Sequence, residues 1–392
     1  MKKFKICQFS DTYYPIVDGV VQVVHNTCNQ LAETDEVCLI APKARGVKAP
    51  KEGAKYNVIR CRALKAFEGY PFALPKLDFG LKKMLKQADF DVYHAQTPFS
   101  MGRFARRMAK ANGVPMVATL HTKYYDDFMR VLKGSRPLSK IALKYIMKVY
   151  NNADCVWLVS KNSEQIIRDY GYTGRVEIIR NGTDFCYPSN AEELINRVNE
   201  KHGLLGKENV FAFVGRTANY KNIRLIADSL KILKDKGVNF TYLVVGGGFD
   251  LEDYKKYVKE VGIAENTIFT GILQDRELLQ GYYLRSDLFL FPSEFDTSGL
   301  VTIEAAAHKL PAVLVEGTGA AEEVIDGFNG FLTVADKQAY ADKILQAIND
   351  KAKLNEIGDR AHKTIYRSWQ TVAKEVRQKY AEVIEEYKRK NK

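Results

Sequence analysis

The chain has 392 residues, 46% hydrophobic and 27% charged, which predicts a globular protein of two or three domains and excludes a collagenous, disordered or membrane-embedded chain. Its net charge of +12 is uneven: residues 1–150 hold 26 Lys/Arg against 12 Asp/Glu, residues 151–350 hold 21 against 29, and residues 351–392 hold 12 against 6. A basic excess at both ends leaves nucleic acid, an anionic membrane and a phosphorylated substrate open as partners, and charge alone does not choose among them.

Met1-Lys2-Lys3-Phe4-Lys5 leads directly into a strand-like segment with polar Gln8, Ser10 and Asp11, unlike a secretory signal with its longer apolar stretch. No run of about 18 apolar residues follows, so the protein is expected in the cytosol. Strands are predicted at Phe4–Phe9, Glu36–Ile40, Val58–Cys61, Val92–His94, Met116–Leu120, Cys155–Val159 and Val176–Ile179. Helical patterns fall between them at Val21–Leu31, Leu81–Ala88, Arg103–Asn112, Leu138–Tyr150 and Ser163–Tyr170. Near-continuous apolar strands alternating with helices indicate a parallel sheet covered on both faces.

Asn181–Ser189, with its Asn-Gly and Tyr-Pro turn signals, reads as a junction. The pattern then restarts, with strands at Val210–Val214, Tyr242–Val245, Thr267–Thr270, Leu288–Phe291 and Ala312–Val315. Helices fit Ile223–Lys234, Leu251–Val261, Glu277–Leu284, Val301–Ala307, Lys337–Ile348 and Lys353–Ile365, and a long charged helix fits Val372–Tyr387. The expected architecture is two doubly wound α/β domains with a cleft between them. The six cysteines (Cys7, Cys28, Cys38, Cys61, Cys155, Cys186) form no C-x-x-C pair, so neither a disulfide framework nor a zinc site is expected.

Two segments carry chemistry. In Val214-Gly215-Arg216-Thr217-Ala218-Asn219-Tyr220-Lys221-Asn222 a strand ends at the glycine and a helix begins near Asn222. Ligands of open α/β sheets bind beyond the carboxyl ends of strands, so Arg216 and Lys221 could meet a diphosphate there; two solvated cations are the alternative. In Phe291-Pro292-Ser293-Glu294-Phe295-Asp296-Thr297-Ser298-Gly299-Leu300-Val301-Thr302-Ile303-Glu304 a buried strand passes through a polar loop into a helix. Amides at that helix start can bind phosphate oxygens, Gly299 admits close backbone approach, and Glu304 could accept from sugar hydroxyls. The alternative makes Asp296 a helix N-cap and Glu304 a surface residue. Asp89-Phe90-Asp91 has the D-x-D form of a metal motif but falls where a turn explains it better, and Gly246-Gly247-Gly248 reads as a tight turn.

These segments resemble the family 4 retaining glycosyltransferases of GT-B fold. The family shows V-G-R-x-x-x-x-K-N, then E-x-F-G-L-x-x-x-E-A ahead of a G-x-P-V strand; here stand Gly215-Arg216 with Lys221-Asn222, Asp296-Thr297-Ser298-Gly299-Leu300 with Glu304-Ala305, and Leu310-Pro311-Ala312-Val313. Asn181-Gly182-Thr183-Asp184, Gly327-Phe328-Asn329-Gly330-Phe331-Leu332, Asp18-Gly19-Val20 and His121-Thr122 extend the likeness over nearly the whole chain. The resemblance implies two Rossmann-like domains: an acceptor-side domain over 1–186 and a nucleotide-sugar domain over 187–366, with a C-terminal helix over 367–392 crossing back to the first. It implies that Arg216, Lys221 and the amides near Gly19, Gly215, Ser298, Gly299, Leu300 and Val301 stabilise the leaving diphosphate without a bound metal. It places His121 against the donor sugar, Glu304 on the ribose hydroxyls and Asp296 near the reacting groups. No cofactor is implied, the nucleotide sugar being a substrate. Asp296 departs from the family's glutamate and is shorter by about 1.5 Å, one C–C bond.

Residues 101–150 hold 11 Lys/Arg against 2 Asp/Glu. Arg103, Arg106, Arg107 and Lys110 share a helical face by spacing, and Lys140, Lys144 and Lys148 form a second stripe. Leu138, Ile141, Tyr145 and Val149 lie beside it, with Phe128, Met129, Val131 and Leu132 just upstream. Cationic stripes bordered by apolar residues suit an anionic membrane surface, although a solvated lysine face is the plainer alternative. His121-Thr122-Lys123-Tyr124-Tyr125-Asp126 and His94-Ala95-Gln96-Thr97-Pro98-Phe99-Ser100 resemble most the bacterial diacylglycerol glucosyltransferases. The expected activity is therefore transfer of glucose from UDP-glucose to a membrane lipid such as diacylglycerol, at the inner face of the cell membrane. A cytosolic enzyme acting on a saccharide precursor is the second reading. A nucleic-acid-binding protein is the third; it has no recognisable motif or stacking platform here.

Overall fold

The computed structural model describes residues 2–16, 18–43, 54–65 and 71–391. They form two compact units, residues 1–181 with 369–392, and residues 182–368. The chain thus changes unit at 181/182 and again at 368/369, slightly off the expected boundaries at 186 and 366.

The first unit holds β1 (Lys5–Phe9), α1 (Gly19–Leu31), β2 (Glu36–Pro42), β3 (Asn57–Cys61), β4 (Ala63–Lys65), β5 (Pro71–Ala73) and α2 (Phe79–Gln87). It continues with β6 (Val92–Ala95), α3 (Ser100–Asn112), β7 (Met116–Leu120), α4 (Tyr124–Val131), α5 (Arg136–Tyr150), β8 (Cys155–Leu158), α6 (Asn162–Asp169) and β9 (Val176–Ile178). Seven strands make one parallel sheet in the order β3-β2-β1-β6-β7-β8-β9, and β4 pairs antiparallel with β5 in a separate hairpin. Strands β6, β7 and β8 are buried at every position, as covering by helices on both faces requires. Asp18 starts α1 by accepting from the Val21 amide at 2.8 Å, and Gly113 ends α3 at φ 64°, a conformation glycine adopts without strain.

The second unit holds α7 (Ala191–His202), β10 (Val210–Val214), α8 (Ile223–Asp235), β11 (Thr241–Val245), α9 (Leu251–Glu260), β12 (Thr267–Gly271), α10 (Arg276–Arg285) and β13 (Leu288–Phe291). Then come α11 (Leu300–Ala307), β14 (Ala312–Val315), β15 (Phe331–Thr333), α12 (Lys337–Ile348) and α13 (Lys351–Thr364). Its parallel sheet runs β12-β11-β10-β13-β14-β15. Both sheets reverse their order beside the first strand of the unit, between β1 and β6 and between β10 and β13. In this topology the loops leaving those strands at their carboxyl ends are where a ligand sits.

Helix α14 (Trp369–Lys390) belongs to the first unit, the return expected for the C-terminal segment. Trp369, Val372, Val376, Tyr380 and Ile384 bury its inner face. Arg377 donates to the Asp35 carboxylate at 2.8 Å and to the Lys2 carbonyl at 2.6 Å, and Arg175 pairs with Glu386. Gly182 is fitted to the return point: a Cβ there would lie 2.9 Å from the Arg367 carbonyl oxygen, to which the Thr183 amide donates at 2.8 Å.

Candidate functional site

In the second unit the loop after β10 is built on close glycine contacts. Gly215 has φ 145° and Gly246 φ 128°, and a Cβ on Gly246 would stand 2.1 Å from the Gly215 carbonyl oxygen. A Cβ on Gly248 would stand 2.2 Å from the Thr217 oxygen. Gly246-Gly247-Gly248 is thus the tight turn expected of it, and its lack of side chains lets the two loops touch. Arg216 is exposed at the end of β10. Lys221 follows one short turn later, its side chain only 14% exposed.

The loop after β13 meets it. Asp296 accepts from Lys221 Nζ at 2.5 and 2.6 Å and from the Ser293 hydroxyl. Asp296 is therefore no helix N-cap. That position belongs to Gly299, at φ 54°, where a Cβ would lie 2.7 Å from Ala320 Cβ. Ser298, Gly299, Leu300 and Val301 form the start of α11, with backbone amides that have no earlier helical carbonyl to bond. Glu294 lies exposed beside them. An ammonium has three N–H donors, so Lys221 can hold both Asp296 oxygens and still turn one donor to an anion.

Glu304 lies one helical turn further on. It accepts from the Tyr283 hydroxyl at 2.8 Å, and burial pushes its carboxyl up to about 7. The surroundings are aromatic: His308 stacks on Tyr283 at 5.1 Å with an interplanar angle of 8°, and its Nδ1 donates to the Glu304 carbonyl at 2.7 Å. Asp184, from the junction motif, pairs with Arg276 at 2.8 Å, and Arg276 lies 4.4 Å over the Phe185 ring. Tyr283 and Arg276 escaped the sequence reading because they lie 21 and 92 residues from the groups they support, Glu304 and Asp184, whereas Ser293 stands in the same loop as Asp296.

In the first unit His121 stands at the carboxyl end of β7, buried, and its Nε2 bonds Gln96 Oε1 at 2.7 Å. Burial lowers the His121 pKa to about 4, so the ring is neutral at physiological pH. Gly19 is exposed at the first position of α1, after the loop that leaves β1. Asp127 is held by the Thr122 hydroxyl at 2.9 Å and by Arg130 at 2.6 Å, a structural arrangement. Asp89 and Asp91 hold Lys5, through its ammonium at 2.7 Å and its amide at 2.9 Å, which accounts for the D-x-D pattern. Among the described residues no group of three His, Cys, Asp or Glu is placed to hold a metal ion. Five of the cysteines are buried free thiols and Cys186 is exposed.

The two cationic stripes come together. Arg106 donates to the Lys148 carbonyl at 3.1 Å and Arg103 lies 4.3 Å over the Tyr145 ring, which joins α3 to α5. Arg106, Arg107, Lys110, Lys140, Lys144 and Lys148 are exposed, whereas Arg103 is half-buried. Leu138 at 53%, Ile141 at 65% and Val131 at 67% exposure stand among them, while Val149, expected on the same border, is buried in the core. A second such surface went unrecognised: Leu64, Phe72, Leu77 and Phe79 are exposed on the β4–β5 hairpin and the approach to α2. Beside them Phe79, Lys82, Lys83, Lys86 and Gln87 line a recess of about 360 Å³.

Two doubly wound units, the second with glycine-shaped loops at its switch point, are the architecture of the GT-B class of transferase. A family model described as Glycosyltransferase Family 4 matches residues 17–185, and one described as Glycosyl transferases group 1 matches residues 195–364. The chain belongs to the family 4 glycosyltransferases. It is 27% identical over 336 residues to alpha-monoglucosyldiacylglycerol synthase of Acholeplasma laidlawii, covering 82% of this chain and 83% of that one. It is 25% identical over 315 residues to the Streptococcus pneumoniae protein of the same name, covering 79% and 70%. Among solved structures, Anabaena Alr3699/HepE in complex with UDP superposes with a TM-score of 0.77 at 19% identity, covering 96% of this chain and 100% of that one.

Proposed function

We propose that the protein moves glucose, with retention of configuration, from UDP-glucose to a membrane-lipid acceptor of the diacylglycerol class, working peripherally on the inner face of the cell membrane. The observation that carries the acceptor is the exposed face of α5, where Leu138, Ile141 and Tyr145 alternate with Lys140, Lys144 and Lys148. Tyr145 carries the Arg103 guanidinium, but Leu138 and Ile141 stand exposed among the lysines, and a bilayer interface takes apolar and cationic side chains together. The similarity to the two alpha-monoglucosyldiacylglycerol synthases supports the same reading. No helix among the described residues is long and apolar enough to cross a membrane; the attachment in this reading is through this surface and the one near Phe79.

In this reading Glu304 takes the ribose hydroxyls, and the Arg216 guanidinium and the Lys221 ammonium offset charge on the departing diphosphate, helped by amides at Gly19, Gly215 and Ser298–Val301. Asp296 aims Lys221, and the neutral His121 ring accepts a bond from a donor-sugar hydroxyl. In this reading the Arg216 guanidinium, the Lys221 ammonium and the helix-start amides supply the positive charge without a resident metal or cofactor.

Two measurements test it. In a thermal-shift panel of UDP-, GDP- and ADP-sugars, UDP-glucose at ~100 times its dissociation constant adds about 2.7 kcal/mol of stability; a panel with no shift removes the donor assignment. In sedimentation with phosphatidylglycerol vesicles at physiological salt the protein pellets, and with phosphatidylcholine vesicles it pellets less. If it stays in the supernatant of both, the lipid acceptor is wrong and a saccharide precursor takes its place.

A further inference from the structure

Two helices of the second unit clasp the Glu304 side chain. Gln280 and Tyr283 come from α10, and Glu304 and His308 from α11, each pair at a spacing that shares a helix face. The Tyr283 hydroxyl donates to Glu304 Oε2 at 2.8 Å. The His308 ring stacks on Tyr283, 5.1 Å away and 8° from parallel. It is pinned at both nitrogens, Nδ1 by the Glu304 carbonyl at 2.7 Å and Nε2 by the Gln280 side-chain amide at 3.2 Å. Phe185 at 6.4 Å and Phe289 at 6.0 Å flank the Tyr283 ring. Tyr283 is fully buried and His308 is 3% exposed, whereas Glu304 is half-buried.

Burial keeps the Tyr283 phenol protonated, so its hydroxyl is a donor to the carboxylate. That bond is charge-assisted, roughly twice as strong as the one a protonated Glu304 makes with the same phenol oxygen. The hydroxyl therefore favours the ionised carboxylate and offsets part of the burial that opposes it. Arg276 and its partner Asp184 are the charged groups that act on Glu304 beside it. His308 is lowered by burial to about 4 and so is neutral above pH 6, and His362 on α13 donates from Nδ1 to the Ala306 carbonyl at 3.1 Å. Tyr283 takes one carboxylate oxygen, which leaves Oε1 without a donor among the described residues.

We propose that Tyr283 is a positioning residue for the nucleotide: its hydroxyl holds Glu304 by Oε2, against the His308 ring, so that the carboxylate offers Oε1 to a ribose hydroxyl. The nucleotide role rests on Glu304 being the ribose ligand; the hold of Tyr283 on the carboxylate does not. A carboxylate already fixed loses little rotamer freedom when the ribose arrives, and its charge is in place beforehand. Without the hydroxyl, Glu304 keeps its burial but loses the donor that favours its ionised form.

The test uses the full-length protein labelled with ¹³C at the glutamate carboxyl carbon, with Glu304→Gln identifying the Glu304 signal. In wild type that signal is expected to titrate at about 7. In Tyr283→Phe it should titrate about one pH unit higher, the worth of one hydrogen bond to an ionised group. UDP affinity by calorimetry should then lie about fivefold below wild type at pH 7 and within about twofold of it at pH 9. Lost packing alone would weaken binding equally at both pH values and leave the carboxyl titration where it was. Fluorotyrosine introduced at position 283 keeps the ring and strengthens the donor, so it should move the titration down; it provides the same readout should Tyr283→Phe fold poorly. An unchanged titration in either folded variant overturns the proposal. Wild-type UDP affinity across this pH range in Glu304→Gln overturns the ribose reading and the nucleotide role, while the carboxyl signal still decides the hold of Tyr283.

Discussion

In the proposed role on the ribose hydroxyls, Glu304 is under two opposed demands. As a ligand for hydroxyl donors it must be ionised, yet burial raises its carboxyl to about 7, so the resting protein is half protonated near neutral pH. UDP affinity should therefore increase between pH 6 and 8 in wild type and lose that slope in Glu304→Gln; equal slopes by calorimetry would remove Glu304 from the nucleotide site. The sign for stability is the reverse. A raised folded-state pKa gives stability that is fully present below the ordinary value of 4.5 and lost as pH rises through 7. At pH 8 the buried carboxylate is a cost, so Glu304→Gln should unfold later, by about 1–3 kcal/mol, while transfer falls about 100-fold. Arg216→Ala should lose transfer by a similar factor of about 100 without the gain in stability, and near-normal turnover would refute its role. Glu304 and Arg216 were legible because their spacing from Gly299 and Lys221 is local; Tyr283, 21 residues before Glu304, has no such signal.

The loops after β10 and β11 act as one element because glycine lets them touch. In Gly248→Ala the new Cβ meets the Thr217 oxygen, which displaces the segment carrying Arg216. The expected outcome is a stability loss of at least about 1 kcal/mol together with weaker UDP binding. Gly237→Ala is the control: φ is 81° there but nothing lies within 4 Å of the new Cβ, so stability falls and UDP binding holds. If both variants bind UDP alike, loop contact does not shape the site. At this scale the long apolar strands and amphipathic helices were readable. The β4–β5 pair, β15, α4 and α7 were not: β4, β5 and β15 are only three residues each, too short for an alternation to repeat, and α4 and α7, though amphipathic, were passed over in the polar stretches after His121 and after the junction.

For the whole molecule, the division of charge acquires a physical meaning. The acidic second unit places Lys221 and Arg216 at one switch point, and the cations of residues 101–150 gather on α3 and α5 of the first. At about 1 kcal/mol per cation near an anionic bilayer, replacing Lys140, Lys144 and Lys148 by Gln should weaken vesicle partitioning roughly 100-fold at low salt. Leu138→Ser with Ile141→Ser should weaken it further at high salt, where screening leaves the apolar term. Partitioning unchanged by either set would move the membrane contact to the surface around Phe79.

The sequence by itself determined the doubled α/β pattern, the family and the residues of the local motifs, because strand and helix periodicity and short loop spacings are properties of neighbouring residues. It also showed where the basic excess lies. Only the tertiary structure decided that Asp296 is bound to Lys221 instead of capping a helix, that Val149 faces the core while Ile141 faces solvent, and that Tyr380 reaches His94 from 286 residues away. Those outcomes depend on which side chains are brought together when helices close over a sheet, and on the need of each buried polar group for a partner. No local pattern records that need.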